Sequence, residues 1–198
     1  PPICVACLKG KQHRRPWRGR GKQTRSIRRP QDNFPGARTS TDQMYSQVGG
    51  LIPQVREILT KARYKAATVF VDHYTDYTYA HLMTNTEGDT TLEAKNAYEN
   101  LLLQHGHRVI AYHADNGRYA EAKFKDDAFH KAQSMTYCGT GHHSQNGIAE
   151  ARIKSLSEDS RAMLAHGMDL WPEVVTKALW PYALKAACRS RNKFNLDS

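Results

Sequence analysis

The order in which the chain alternates between strand and helix periods is what most narrows its fold. A β-prone run follows the Pro35-Gly36 turn and carries Asp42 (34–44), and two further β-rich runs, 66–71 and 77–83, flank Asp72-His73-Tyr74-Thr75-Asp76 as a hairpin. Residues 46–64, with Gly49-Gly50 and Pro53, read as a loop before that hairpin. Thr90-Thr91-Leu92-Glu93 matches a capping box, and Ala94, Ala97, Tyr98, Leu101, Leu102 and His105 follow at helical spacing until Gly106. An apolar strand, Arg108-Val109-Ile110-Ala111-Tyr112, leads to Asp115 at a turn. A helix over 122–132 and a short strand over 135–138 come next. Asn146 is a favoured N-cap for a helix that places Ala149, Ile153, Leu156, Ser160 and Met163 on one stripe. The last helical region is 171–191, where Pro172 suits a helix start and Pro181 kinks or divides it. Three strands, then helix, strand, helix, strand and helices, is a mixed α/β order with an antiparallel opening. It excludes an all-α bundle and an all-β sandwich.

Charge separates this part from what precedes it. Residues 1–30 hold ten Lys and Arg and no Asp or Glu, the whole of the +10 net charge, while the rest of the chain is balanced. Between Leu8 and Phe34 little is apolar beyond Trp17 and Ile27, so this stretch cannot build a core and reads as a basic arm. Arg14, Arg15, Arg18 and Arg20 are its candidate phosphate contacts, gaining affinity for nucleic acid by displacing counterions; a solvated linker is the plainer alternative. Ahead of it, Cys4 and Cys7 have the Cys-x-x-Cys spacing of two zinc ligands, half of a tetrahedral shell. No strand precedes the motif and no helix is evident after it, which argues against a redox pair. Cys138 and Cys188 sit in apolar stretches as small core residues. With no signal sequence and no long apolar run, the expectation is a soluble intracellular chain with no membrane partner.

Two motifs carry the chemistry. His113-Ala114-Asp115-Asn116-Gly117 puts an acid at a strand end, and Ser144-Gln145-Asn146-Gly147-Ile148-Ala149-Glu150 puts one in the first turn of a later helix. Taken singly, Asp before Asn-Gly is turn chemistry and Glu150 with Lys154 is a helix-surface pair. Together they are acids from separate elements that can meet over a divalent ion, since Mg²⁺ takes oxygen ligands beside phosphates. A third carboxylate is then expected upstream. Lys154, one turn after Glu150, with Gln145 and Asn146 at the helix start, are candidate DNA contacts.

Cys4-x-x-Cys7-Leu-Lys-Gly-Lys, Asp42, the hairpin Asp72-His73-Tyr74-Thr75-Asp76-Tyr77, Asp115-Asn116-Gly117 and Gln145-Asn146-Gly147-Ile148-Ala149-Glu150 together resemble the integrase region of a copia-type LTR retrotransposon polyprotein. The resemblance implies an RNase H-like fold, a mixed five-stranded sheet with flanking helices. It also implies two Asp and a Glu at the metal site, the second Asp and the Glu about 35 positions apart, as Asp115 and Glu150 are. By the same likeness Asp42, in the first strand, is the first ligand, and Asp72 belongs to the hairpin turn. The implied organisation is a remnant of a zinc-binding domain (1–11), a basic linker (12–33) and a catalytic core (34–198). The implied activity is 3′-end processing and strand transfer of element DNA into target DNA, with two Mg²⁺ or Mn²⁺ ions; Zn²⁺ is expected only with further N-terminal ligands. A homo-oligomer acting in the nucleus, after a cytoplasmic particle stage, is the accompanying expectation. The alternatives are an inactive nucleic-acid-binding module derived from an integrase, and an RNase H-like nuclease. One departure from the family pattern is the stretch Arg118-Tyr119-Ala120-Glu121 after Asp115-Asn116-Gly117, where an acid and an aromatic usually follow sooner.

Overall fold

The computed structural model describes residues 4–11, 32–54, 60–138 and 146–194. Five strands form one mixed sheet in the order β3-β2-β1-β4-β5: β1 (Thr39–Gly50), β2 (Tyr64–Asp72), β3 (Thr78–Met83), β4 (Ala111–Ala114) and β5 (Ser134–Tyr137). β1, β2 and β3 are antiparallel neighbours, whereas β4 runs parallel to β1 and β5 parallel to β4. The helices are α1 (Val5–Gly10), α2 (Gly88–Gln104), α3 (Ala122–His130), α4 (Gly147–Leu170) and α5 (Trp180–Phe194).

The central strand β2 explains the layering. From Ala66 to Asp72 it is buried on both faces, so it reads as a continuous apolar run and not as an alternation. Ala67, Val69 and Val71 pack with Leu156 of α4 and Trp180, Leu184 and Ala187 of α5. Phe70 points to the other face, where it stacks on Tyr98 of α2 with centroids 4.7 Å apart and also meets Tyr112. Burying an aromatic of this size contributes roughly 1.5–3 kcal/mol, which makes this face the anchor of α2.

The expected element order is present, and the boundaries that moved have local reasons. β1 runs on to Gly50 where a loop was expected from residue 46, because α5 clasps its far end. Trp180 Nε1 donates to the Val48 carbonyl at 2.9 Å, and a Cβ on Gly50 would stand 2.3 Å from Pro181 Cγ. Pro181 does not kink a helix; it lies in the first turn of α5, where a missing N–H costs nothing. Pro172 starts no helix, since residues 172–176 are turn and coil between α4 and a 3-10 turn at Lys177–Leu179. The expected capping box at Thr90 is not formed. α2 begins at Gly88, and the Thr90 and Thr91 hydroxyls both bond back to the Glu87 carbonyl. On α4, Leu156 and Ser160 are buried as expected, but Met163 is exposed and Ala162 takes its place, because α1 packs there: a Cβ on Gly10 would lie 2.5 Å from the Ala162 backbone.

The outer edge of β3 is closed by side chains. Asn192 accepts from the Thr78 N–H and donates to the Thr78 carbonyl, both at 2.9 Å, and Lys185 Nζ reaches the Ala80 carbonyl at 2.6 Å. α5 thus supplies the bonds a sixth strand would make, which protects an edge that would otherwise invite pairing. No helix among the described residues is long and apolar enough to cross a membrane.

Candidate active site

Parallel pairing of β1 with β4 aligns Thr41 with Ala114, so Asp42, the next residue of β1, and Asp115, the first residue after β4, follow one aligned pair. Both carboxylates line one open cavity of about 450 Å³, together with Gln43, Tyr45, Tyr119 and Glu121. Each acid is also locally oriented: Gln43 N–H donates to Asp42 Oδ1 at 2.8 Å, and Asn116 N–H to Asp115 Oδ1 at 2.7 Å. Asn116 Nδ2 donates in turn to the Cys138 carbonyl at 2.6 Å, which pins the Asp115 turn to the end of β5. Beneath the acids, Thr41 Oγ1 donates to the Tyr119 hydroxyl at 3.2 Å. Burial drives the Tyr119 hydroxyl far above its ordinary range, Thr41 opposes this, and the charge of Asp42 adds to it. Tyr119 is therefore a neutral wall of the cavity.

Glu150 lies in the first turn of α4 and is exposed. Its charge, like those of the two aspartates, acts on Cys138. Burial pushes that thiol upward first, and Asp115, Glu150 and Asp42 push it further in that order. The charges of all three expected carboxylates thus reach the Cys138 thiol at the end of β5. Among the described residues, however, no three His, Cys, Asp or Glu side chains stand close enough to hold a single ion. The donor set, two carboxylates from adjacent strands and a third from a helix start, is oxygen-only and suits a hard divalent cation.

Asp72 is a structural acid, in keeping with the hairpin reading. It is 2% exposed, and its carboxylate accepts from the Gly36 N–H (2.8 Å), the Thr75 N–H (2.8 Å) and the Thr75 hydroxyl (2.7 Å). Lys154 is exposed on the face of α4 that carries Glu150. Asn146 needs correction. It is buried, makes no side-chain cap bond, and donates to the Thr41 carbonyl at 3.0 Å, so it does not face a phosphate. Gln145, Arg14, Arg15, Arg18 and Arg20 lie outside the described residues.

Cys4 and Cys7 are exposed, and a helix absent from the sequence expectation follows at once: Cys4 caps α1, its Sγ accepting from Cys7 N–H at 3.4 Å. The Cys7 backbone and thiol donors lower the Cys4 pKa, and that same bond raises Cys7. Both line a cavity of about 520 Å³ with Asp159 and His166 of α4. Glu121 was missed as a cavity residue. Its signal was the displaced acid after Asp115-Asn116-Gly117: a 3-10 turn at Arg118–Ala120 absorbs the extra residues and returns Glu121 to the cavity wall.

No protein-family model matches the chain. It is 27% identical over 133 residues, 66% of its length, to the retrovirus-related Pol polyprotein from transposon RE1 of Arabidopsis thaliana, of which it spans only 8%. The chain resembles the integrase region of a copia-type retrotransposon polyprotein. Its fold is similar to a chain of the simian T-cell lymphotropic virus intasome in complex with PP2A regulatory subunit B56 gamma (TM-score 0.55, 16% identity, covering 76% of this chain and 48% of that one). It is also similar to the HTLV-2 integrase catalytic core domain in complex with magnesium, in a trimeric form (TM-score 0.53, 13% identity, 78% and 84% covered) and a dimeric form (0.50, 14%, 76% and 85%). The five-stranded mixed sheet with flanking helices is thus the RNase H-like fold of integrase catalytic cores.

Proposed function

We propose that this chain is the catalytic core of a DDE-type DNA integrase, a polynucleotidyl transferase that performs 3′-end processing and strand transfer. The observation that carries the reading is the convergence of Asp42 and Asp115 on one cavity from paired parallel strands, with Glu150 on the adjoining helix start. Magnesium or manganese, as two ions held by these acids, would activate the attacking oxygen and stabilise the leaving one. The chain's own residues supply the rest. Asp42 lies within β1, in the stretch paired with β2, and Asp115 directly follows β4, so their backbones are held by the sheet and their carboxylates preorganised. Lys154 offers a cation to a DNA phosphate near Glu150, and the basic arm with Arg14, Arg15, Arg18 and Arg20 adds sequence-independent attraction. The partners are element ends and target DNA, and the assembly is a homo-oligomer working in the nucleus after a cytoplasmic particle stage.

That no three His, Cys, Asp or Glu side chains among the described residues stand close enough for one ion favours one rival, a module that binds nucleic acid without chemistry. A strand-transfer assay with Mg²⁺ on Asp42→Asn, Asp115→Asn and Glu150→Gln decides between them. Each variant is expected to fall to background while melting, without metal, at or above the wild-type temperature, because an acid kept for function can be neutralised without loss of stability. Full activity in all three would end the integrase reading. Cleavage without joining would leave the nuclease.

A further inference from the structure

Asn146 stands where the helix that carries Glu150 meets the strand that carries Asp42. Its side chain is 2% exposed, and its Nδ2 donates 3.0 Å to the carbonyl of Thr41, the residue before Asp42. It occupies the N-cap position of α4, at φ −92°, ψ 28°, but its side chain makes no cap bond to the helix N–H groups. Its Oδ1 is buried with no hydrogen-bond partner among the described residues. Leaving a buried acceptor unpaired is unfavourable, so neither capping nor packing accounts for an amide here: its side chain makes no cap bond, and an apolar residue would pack without an orphan atom. What the amide does accomplish is mechanical. Thr41 is buried, bonded to the Tyr119 hydroxyl and paired with Ala114, so it is a fixed point next to Asp42. The Asn146 bond ties the first turn of α4 to that point.

We infer that Asn146 is a positioning residue, which sets the distance between Glu150 and the Asp42–Asp115 pair and so couples the third carboxylate to the other two. The inference rests on reading these acids as the ligands of the divalent ion. An outer partner that orients a ligand in this way typically controls metal affinity by about 10–100-fold.

The test is a double-mutant cycle on Mn²⁺ affinity, measured by calorimetry on the full chain for wild type, Asn146→Ala, Glu150→Gln and the double variant, with melting temperatures taken in parallel. Each single variant is expected to weaken Mn²⁺ binding about tenfold or more, and the double variant to bind no more weakly than the weaker single. Ser160→Ala, which loosens the middle of α4 by removing a bond to the Leu156 carbonyl, is expected to lower the melting temperature and leave Mn²⁺ affinity unchanged. If Asn146→Ala does not fold, Asn146→Ser, which keeps a shorter donor, is read in the same cycle with a smaller loss. Wild-type affinity in the Asn146 variant, or losses that simply multiply, would overturn the positioning role while leaving the site assignment intact. Should Glu150→Gln alone bind Mn²⁺ as wild type does, the ligand reading itself fails and the inference falls with it.

Discussion

Asp72 and Asp42 lie on paired strands and look equally able to hold a metal in the sequence, yet their surroundings give them opposite tasks. Asp72 spends its carboxylate on two backbone N–H groups and a hydroxyl, joining the Gly36 turn to the β2–β3 hairpin. Asp42 opens onto a cavity beside a second carboxylate. Replacing Asp72 by Asn turns an NH₂ toward at least one of these donors, so Asp72→Asn is expected to cost about 1–3 kcal/mol, read by urea unfolding. Strand transfer by Asp72→Asn, assayed well below its melting temperature, is expected to match wild type. The opposite pattern, Mg²⁺ binding lost in Asp72→Asn and kept in Asp42→Asn, would exchange the two assignments.

At the scale of elements, the join between α2 and α3 is a buried ionic network that no periodicity announces. Lys95 of α2 is completely buried, pairs with Asp127 of α3 and with Glu99 at 2.7 Å, and lies over the rings of Tyr112 and Phe124. Lys131 pairs with both acids, at 2.8 and 2.9 Å, while the Tyr112 hydroxyl donates to Glu99 at 2.8 Å. Burial alone would raise the Glu99 carboxyl; Lys131, Lys95 and Gln133 overcome this and hold it below the usual range, and Asp127 is lowered in the same manner by Lys95 and Lys131. Folded-state values depressed in this way stabilise the protein above the ordinary carboxylate range, about pH 4, and the stabilisation is lost as pH falls through the folded values. The melting temperature is therefore expected to drop steeply below pH 4, with a shallower acid limb in a Glu99→Gln/Asp127→Asn double variant. Lys95→Met, which leaves the buried Glu99 and the partly exposed Asp127 to share Lys131, is expected to cost about 3–5 kcal/mol in urea unfolding.

For the whole molecule, the concentration of charge in the first 30 residues predicts how it meets DNA. Binding is expected to be sequence-tolerant and to weaken steeply with salt, the log–log slope reaching at most about −9 if all ten cations neutralise phosphates. Deleting residues 1–30 should remove most of that affinity and flatten the slope in fluorescence titrations at several salt concentrations. An unchanged affinity would reduce the arm to a linker. The deletion also removes α1, which packs on α4 through Gly10 and the Lys11–Asp159 pair at 3.4 Å, so its melting temperature must be measured beside its affinity.

The sequence by itself determined the order of elements from β1 onward, the β-rich run at 66–71 and the turn that presents Asp115, because these depend on local periodicity and turn chemistry, while the resemblance assigned Asp72 to the hairpin. What only the tertiary structure decided are properties of pairs that are distant in the chain. Strand order β3-β2-β1-β4-β5 put Asp42 beside Asp115. The clasp of Trp180 and Pro181 lengthened β1, and the packing of α1 displaced Met163 from the buried stripe of α4. Asn146 holds the expected N-cap position, but its side chain is a buried tether and not a cap, because its hydrogen-bond partner, the Thr41 carbonyl, lies 105 positions away in the chain. A local propensity describes which partners a residue can satisfy within its own turn; when the fold delivers a stronger partner from elsewhere, burial and hydrogen bonding override it.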